Sequence, residues 1–582
     1  PGSRAEHDDD VLKITKPHFR RPSFNRLRCD ELPIRMAILG FQLVTTLIGA
    51  CILSKIVTYF SCTRFVFDGL SRFMAPSDQL LIEASGNFKT RNKNKKRRTD
   101  ATNGSNSNTS SQDRFFFPRA SPIQLQSSVI TNADASVLPL YSSFQWLLDF
   151  TVCTFGIYLV TELANSSLLS SHNWAAISPS RSSTSNSFSL STRLNLSLVW
   201  LALVVWFTLR VLVSMTAIYF STRTPEFHKS ESRPSISSTA PGANSGEWFL
   251  VIVTGFCFLI LTGFFMALDG RYFEFELHPA YANLTMNTTV SPGVPLISWG
   301  AFNAILAFTC ASIGALFVYP GMKFGRTYLD AVSKGQTSVY QRLLFHLTFI
   351  MPLFSLLLWI KPITDHLLRS LTTLSFSHIV MQQPSLLALI TVSMELLSTQ
   401  IGTLRLLSCL FVVLLRISLT RLNLQVYLNS AQDKLDRFTR EPGQTSNKEV
   451  QRLVASIFYC LNLVALQWIT PTILLLSFVC LYKNTAGLCW LPFGAQPSPS
   501  STISPNPTLG QSRDFVGSSD TYSWTATLLE ARVTFNQLVA CFSTRGVAIS
   551  RGVFGFLVWW CLFALQSVSL LGLAYHRFTS DH

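Results

Sequence analysis

Residues 144–163, FQWLLDFTVCTFGIYLVTEL, form an apolar run that is long enough to cross a lipid bilayer. An α-helix rises 1.5 Å per residue, so about 20 residues span the roughly 30 Å of bilayer hydrocarbon. The run nevertheless contains Asp149 and Glu162. A charged side chain at membrane depth is costly unless it is paired, hydrated or functional. Both acids are therefore candidate site residues.

The rest of the chain repeats this pattern. Of the 582 residues, 48% are hydrophobic and only 13% are charged, which excludes an ordinary soluble protein. Eight further apolar runs occupy residues 36–57, 194–220, 248–268, 296–319, 343–360, 404–424, 453–482 and 553–575. The sequence thus predicts an all-α fold, a polytopic membrane helical bundle with about nine transmembrane spans.

The net charge of +16 is spread over short segments between the apolar runs. Basic residues in such positions set membrane topology and contact anionic lipid. We therefore expect the lipid bilayer as a partner and no nucleic acid.

Composition divides the chain into seven parts. Residues 1–35 are expected to be a disordered tail or a gene-model extension, because Met36 opens the first apolar run. The predicted order is then a first span or signal anchor (36–57), a flexible basic and Asn/Ser-rich linker (58–141), a membrane helical core (142–483), a Ser/Pro/Thr-rich loop (484–550), a last span (551–576) and a C-terminal tail (577–582).

Loop charges predict the orientation of the spans. The basic runs at 89–98 and 432–452 belong inside by the positive-inside rule. The sequons at Asn165, Asn283 and Asn287 then fall outside, where they are candidate glycosylation sites. The loop 484–550 is also predicted outside, so Cys489 and Cys541 are a candidate disulfide there.

Asp149, Glu162, Arg210 and His346 are the candidate members of an intramembrane polar network. One interpretation is structural. In it, Asp149 pairs with Arg210, Glu162 reaches the membrane edge, and His346 joins two helices through a polar contact. The alternative is that the four residues build the binding site of a transporter or proton-coupled carrier.

Motifs for chemistry are missing from the sequence. It contains no CxxC or CxxH pair, no Walker loop, and no GxSxG, HExxH or TVGYG motif. We therefore expect no enzymatic activity, catalytic residue, cofactor or metal. Arg405, Arg416 and Arg421 lack the three-residue repeat of a voltage sensor. Arg416 and Arg421 are interpreted as anchors at the cytoplasmic edge.

Several separate blocks resemble the transmembrane protein 161 family. They are MAILGFQLVTTLI from Met36, the run 144–163, YPGMKFGRTYLDA at 319–331, FIMPLFSLLLWIKPITDHLL at 349–368, LLRISLTRLNLQVYL at 414–428, LQWITPTILLL at 466–476 and VFGFLVWWCLFALQSVSLLGLAYHRF at 553–578. The resemblance implies a multi-pass membrane protein without known catalytic residues. One branch of that family is linked to normal cardiac rhythm through restraint of potassium and calcium currents, and another to protection against oxidative stress.

These observations favour a non-enzymatic modulator of ion currents or excitability. It is expected to act through ion channels or other membrane proteins, and in the plasma membrane rather than an endomembrane. The alternatives are the carrier and a role in oxidative stress protection. An intramembrane enzyme has the least support, because the titratable groups do not converge in sequence.

Overall fold

A computed structural model describes the helical parts of the chain. It covers residues 46–59, 61–84, 116–119, 121, 123–165, 197–221, 247–285, 298–333, 338–376, 385–488, 490 and 546–580. Residues 1–35, the basic run 89–98, Asn287, Cys489 and Cys541 lie outside these ranges, as does the side chain of Asn165.

The helices and strands follow one another as an all-α chain with four short strands. The first half contains α1 (Thr46–Tyr59), α2 (Cys62–Phe67), β1 (Ser71–Phe73), α3 (Asp78–Ala84), β2 (Phe116–Pro118), β3 (Ser127–Val129), α4 (Asn132–Ser136), α5 (Tyr141–Asn165), α6 (Ser197–Ser221), α7 (Glu247–Ala267), α8 (Leu277–Thr285) and α9 (Trp299–Leu316). The second half contains α10 (Val318–Ser333), α11 (Val339–Leu357), α12 (Lys361–Phe376), α13 (Ser385–Ser418), α14 (Thr420–Arg440), β4 (Gln444–Ser446), α15 (Asn447–Tyr459), α16 (Leu461–Ala486) and α17 (Gly546–Ser580).

Eight helical segments among the described residues are long and apolar enough to cross a membrane. They lie at eight of the nine apolar runs, which confirms the predicted all-α polytopic membrane fold. The ninth run contributes α1. The Leu53 side chain of α1 lies over Gly156 of α5, so α1 packs alongside a span.

The centre of the bundle is formed by α16 and α17, which pack against each other. In the segment that contains α16, 89% of the most apolar stretch is buried, and in α17 the share is 72%. In α7 it is only 17%, so this helix lies at the periphery. The predicted boundaries of the last span move outward, because α17 begins at Gly546 and continues to Ser580.

The packing of α10 against α17 depends on glycine. A Cβ atom placed on Gly325 would lie 2.7 Å from the Ser569 carbonyl oxygen and from the Leu573 backbone nitrogen. A Cβ on Gly572 would lie 2.8 Å from the Met322 Cα. Backbone atoms cannot rotate away from such a contact, so only glycine permits this close approach.

The segment 58–141, predicted as a flexible linker, contains ordered structure on both sides of its basic run. Strand β1 pairs antiparallel with β3, and β2 pairs antiparallel with β4. Leu81 and Phe117 are buried in a small core with Leu435 and Val450. The average composition of the segment 58–141 is polar, which led to the prediction of a flexible linker. Its few spaced apolar side chains nevertheless pack against α14 and α15.

Several helices beside the basic segments are amphipathic. The 432–452 segment, predicted as a loop, consists of the end of α14, strand β4 and the start of α15. In α15 the side chains of Val450, Val454 and Ile457 are buried. Their spacing of four and three residues places them on one face of a helix.

Candidate functional site

Asp149 lies on α5 beside Cys62 and Gln145. Its carboxyl group is partly covered, and its Oδ1 is buried without a hydrogen-bond partner among the described residues. Of the four predicted network residues, this is the one with an unsatisfied buried atom. Such an atom is costly and therefore marks a site of interest.

Arg210 lies on the exposed face of α6, and no ion pair joins it to Asp149 in the part of the chain that the structure describes. The interface between α5 and α6 is instead filled by aromatic rings. The Phe207 ring meets the Trp146 ring edge-on, with centroids 4.6 Å apart, and also meets Phe150 at 5.4 Å. Among the described residues, α5 and α6 thus meet through aromatic packing and not through the predicted ion pair.

Glu162 and His346 have separate partners. The Lys483 ammonium, at the end of α16, donates to the Glu162 carboxylate. His346 of α11 forms a hydrogen bond of 2.8 Å between its Nδ1 and the hydroxyl of Tyr328 on α10. The structure thus distributes the four predicted residues over different helix contacts and does not bring them together.

An arginine that the sequence did not select binds an acid near the N-terminal end of the α13 span (Ile401–Ser418). Arg405 of α13 is 5% exposed, and its Nη2 lies 2.7 Å from Oε2 of Glu274. Its Nε donates to the Leu358 carbonyl oxygen at 2.7 Å. The guanidinium group lies 5.4 Å from the centre of the Trp359 ring. Charge, hydrogen bonding and an aromatic face thus all stabilise this cation.

A second arginine of α13 is buried near the C-terminal end of the same span. Arg416 is 2% exposed, and its Nε donates to Oγ1 of Thr472 at 3.0 Å. Its guanidinium group lies 4.4 Å from the Trp468 ring centre and 5.2 Å from that of Phe324. The interpretation as an edge anchor is therefore wrong for Arg416, which joins α13 to α10 and α16. Arginine suits this position because its planar cation stacks on aromatic rings.

The large open cavity beside α7 lies apart from these charges. A cavity of about 610 Å³ opens between α7, α8 and α9, and its polar lining includes Asp269, His278 and Asn303. None of the four predicted network residues lines it. The described residues also contain no group of three or more His, Cys, Asp or Glu side chains that could hold a metal ion.

The family model described as predicted transmembrane protein 161AB matches residues 37–178 and 183–580. This match covers nearly the whole chain. The chain belongs to the transmembrane protein 161AB family. No solved structure matches the chain. The family assignment agrees with the eight described spans in making this a multi-pass membrane protein.

For this family member, sequence reasoning missed the acid that pairs with Arg405. Glu274 lies outside every apolar run, and its loop was used only to predict orientation. The available signal was Arg405 itself, since it lies near the outer end of a span and needs an anion. The Glu274 partner could not be found from spacing, because 131 residues separate the two.

One predicted glycosylation residue can be placed. Asn283 is exposed on α8, on the same side of the bundle as Glu274. Exposure is what a glycan attachment requires, so Asn283 stays a candidate. The side chains of Asn165 and Asn287 and the candidate disulfide Cys489–Cys541 lie outside the described residues.

Proposed function

We propose that this transmembrane protein 161AB family member is a non-enzymatic modulator of potassium and calcium currents in the plasma membrane. It acts by contact with channel proteins or other membrane proteins. The observation that supports this is how the charged side chains of the described spans are held. Arg405, Arg416 and Lys483 are each bound in a separate contact between helices, with Glu274, Thr472 and Glu162 respectively.

The outer faces of the bundle offer surface for such partners. On α7 the side chains of Phe249, Phe256 and Phe264 are exposed, and this helix is the least buried of the described spans. Association between membrane helices depends on the packing of such lipid-facing surfaces. A partner that packs there would leave the charged contacts of the core unchanged.

A proton-coupled carrier is the second candidate function, and Asp149 is the observation that favours it. A half-buried carboxyl group with one unsatisfied oxygen inside a span is the kind of group that binds protons or cations in carriers. In this alternative, Asp149 transfers the ion and Arg210 does not take part, because Arg210 lies on the exposed face of α6.

Whole-cell recording on cells that express the full chain tests the modulator. We expect reduced endogenous potassium and calcium currents, and the reduction should persist in Asp149→Asn at equal surface amounts. Asp436→Asn, the same change at an exposed position of α14, is the matched control. Unchanged endogenous currents at confirmed surface expression would contradict the modulator. A new proton-dependent current that Asp149→Asn abolishes would instead establish the carrier.

A further inference from the structure

A small basic cleft lies between α10 and α14, outside the membrane-spanning segments. Lys323 and Arg326 from α10 and Lys434 from α14 line it. Asp330 is the acidic residue of the lining. Three cations and one carboxylate give the cleft an excess of positive charge, which attracts anions.

The cations of this basic cleft are incompletely paired. Nε of Arg326 lies 4.0 Å from Oδ2 of Asp330. The Lys323 ammonium lies 4.7 Å from the centre of the Tyr427 ring, a contact that is weaker than an ion pair. Among the described residues, no carboxylate oxygen lies within 4.0 Å of the ammonium of Lys323 or Lys434.

The environment of the cleft also disfavours the charged form of Lys323 and Lys434. The pKa of Lys323 is lowered to about 7, mainly by burial and to a smaller extent by the neighbouring positive charges of Arg326 and Lys434. Burial likewise lowers the pKa of Lys434 to about 8, with Arg326 as the second cause. A bound anion would relieve both effects, because it compensates the charge of the ammonium groups.

The framework around the basic cleft is rigid. The hydroxyl of Tyr427 donates to the Ile457 carbonyl oxygen at 3.1 Å, which joins α14 to α15. Gly325, one residue before Arg326, lies in the close contact between α10 and α17. The helices that carry the three cations are therefore held in place before any ligand arrives, which lowers the entropy cost of binding.

The basic cleft follows directly after a span, at the end that the loop charges predict to be cytoplasmic. Helix α10 begins at Val318, two residues after the α9 span ends at Leu316. Lys323 is about five residues into α10, or about 8 Å along its axis. The cytoplasmic leaflet carries the anionic lipids of a cell membrane, and their phosphates lie at the membrane surface, just beyond the ends of the spans.

We propose that the basic cleft binds the phosphate group of an anionic lipid in the cytoplasmic leaflet, with Lys323, Arg326 and Lys434 as its ligands. The lipid phosphate and free inorganic phosphate would be recognised by the same chemistry, because both present phosphate oxygens to charged hydrogen-bond donors. A lipid differs from free phosphate in its acyl chains. Because the basic cleft is next to the spans, these chains can contact the apolar surface of the bundle while the phosphate group binds in the cleft. This site does not depend on the proposed effect on ion currents.

Binding of dioctanoyl phosphatidic acid to the purified full chain in neutral detergent tests the site. We expect saturable binding that weakens about tenfold in Lys434→Gln, since one charged hydrogen-bond donor is removed. Arg440→Gln removes the same charge from the exposed last turn of α14 and should bind as the wild type does. Lys434→Arg keeps the positive charge and should retain binding. This variant therefore shows whether the weaker binding of Lys434→Gln results from the missing charge or from a damaged fold.

Three results would overturn the proposal. The first is equal binding by Lys434→Gln and wild type, and the second is equal weakening by Arg440→Gln. The third is inorganic phosphate at the same concentration competing as strongly as the lipid, which would assign the basic cleft to free phosphate. A matched dioctanoyl phosphatidylcholine sample, which has no net charge, should show no saturable binding.

Discussion

Gly325→Ala is expected to lower the free energy of unfolding by about 3 kcal/mol, because the added Cβ overpacks a contact between two backbones. The new atom would lie 2.7 Å from backbone atoms of Ser569 and Leu573, which can move only if α10 and α17 separate. The melting temperature of the purified protein in detergent measures this loss, together with the surface amount in cells.

Gly263→Ala is the matched control for this change. Gly263 also lies in a helix, and nothing is within 4 Å of the position of its Cβ. Alanine there should be neutral or slightly stabilising, since alanine has the higher helix propensity. Equal losses in the two variants would show that α10 and α17 do not approach each other as described.

Glu274→Gln is expected to destabilise the protein by about 3 kcal/mol, because it leaves the buried Arg405 cation without its counter-charge. The double variant Glu274→Gln/Arg405→Leu should recover part of that loss, since it removes the unpaired charge as well. Melting temperatures of the two single variants and the double variant form a thermodynamic cycle.

A surface ion pair provides the control for this cycle. Arg64 and Asp68 are 68% and 52% exposed along their side chains, so Arg64→Gln should cost about 0.5 kcal/mol or less. Strictly additive effects at Glu274 and Arg405 would contradict a coupled pair and would make the 2.7 Å contact energetically unimportant.

The sequence was sufficient to predict the membrane fold. Hydrophobic runs report the position and approximate length of a span directly, because a membrane helix satisfies its own backbone hydrogen bonds and exposes apolar side chains to lipid. The same signal failed for α10, α14 and α15, which have polar faces and so look like loops in a hydropathy reading. It also failed for residues such as Phe117. This residue is buried, although its short apolar stretch is flanked by polar and charged residues and is too short to stand out in a hydropathy profile.

The predicted polar network shows what sequence alone leaves undetermined. Asp149 and Arg210 were assigned to each other because each is a charge inside a span. Their pairing depends on the rotation of α5 and α6, which the rings of Trp146, Phe150 and Phe207 set. The pairs Arg405–Glu274 and Lys483–Glu162 depend in the same way on contacts between distant segments.

In the proposed function, the charged residues of the spans hold the helices together and do not conduct ions. Reconstitution of the purified full chain into liposomes with a pH-sensitive dye inside tests this proposal. With an imposed pH gradient and potassium gradient, we expect no more flux than in protein-free liposomes. Flux that rises with protein content and disappears in Asp149→Asn would contradict the proposal and establish Asp149 as part of a transport site.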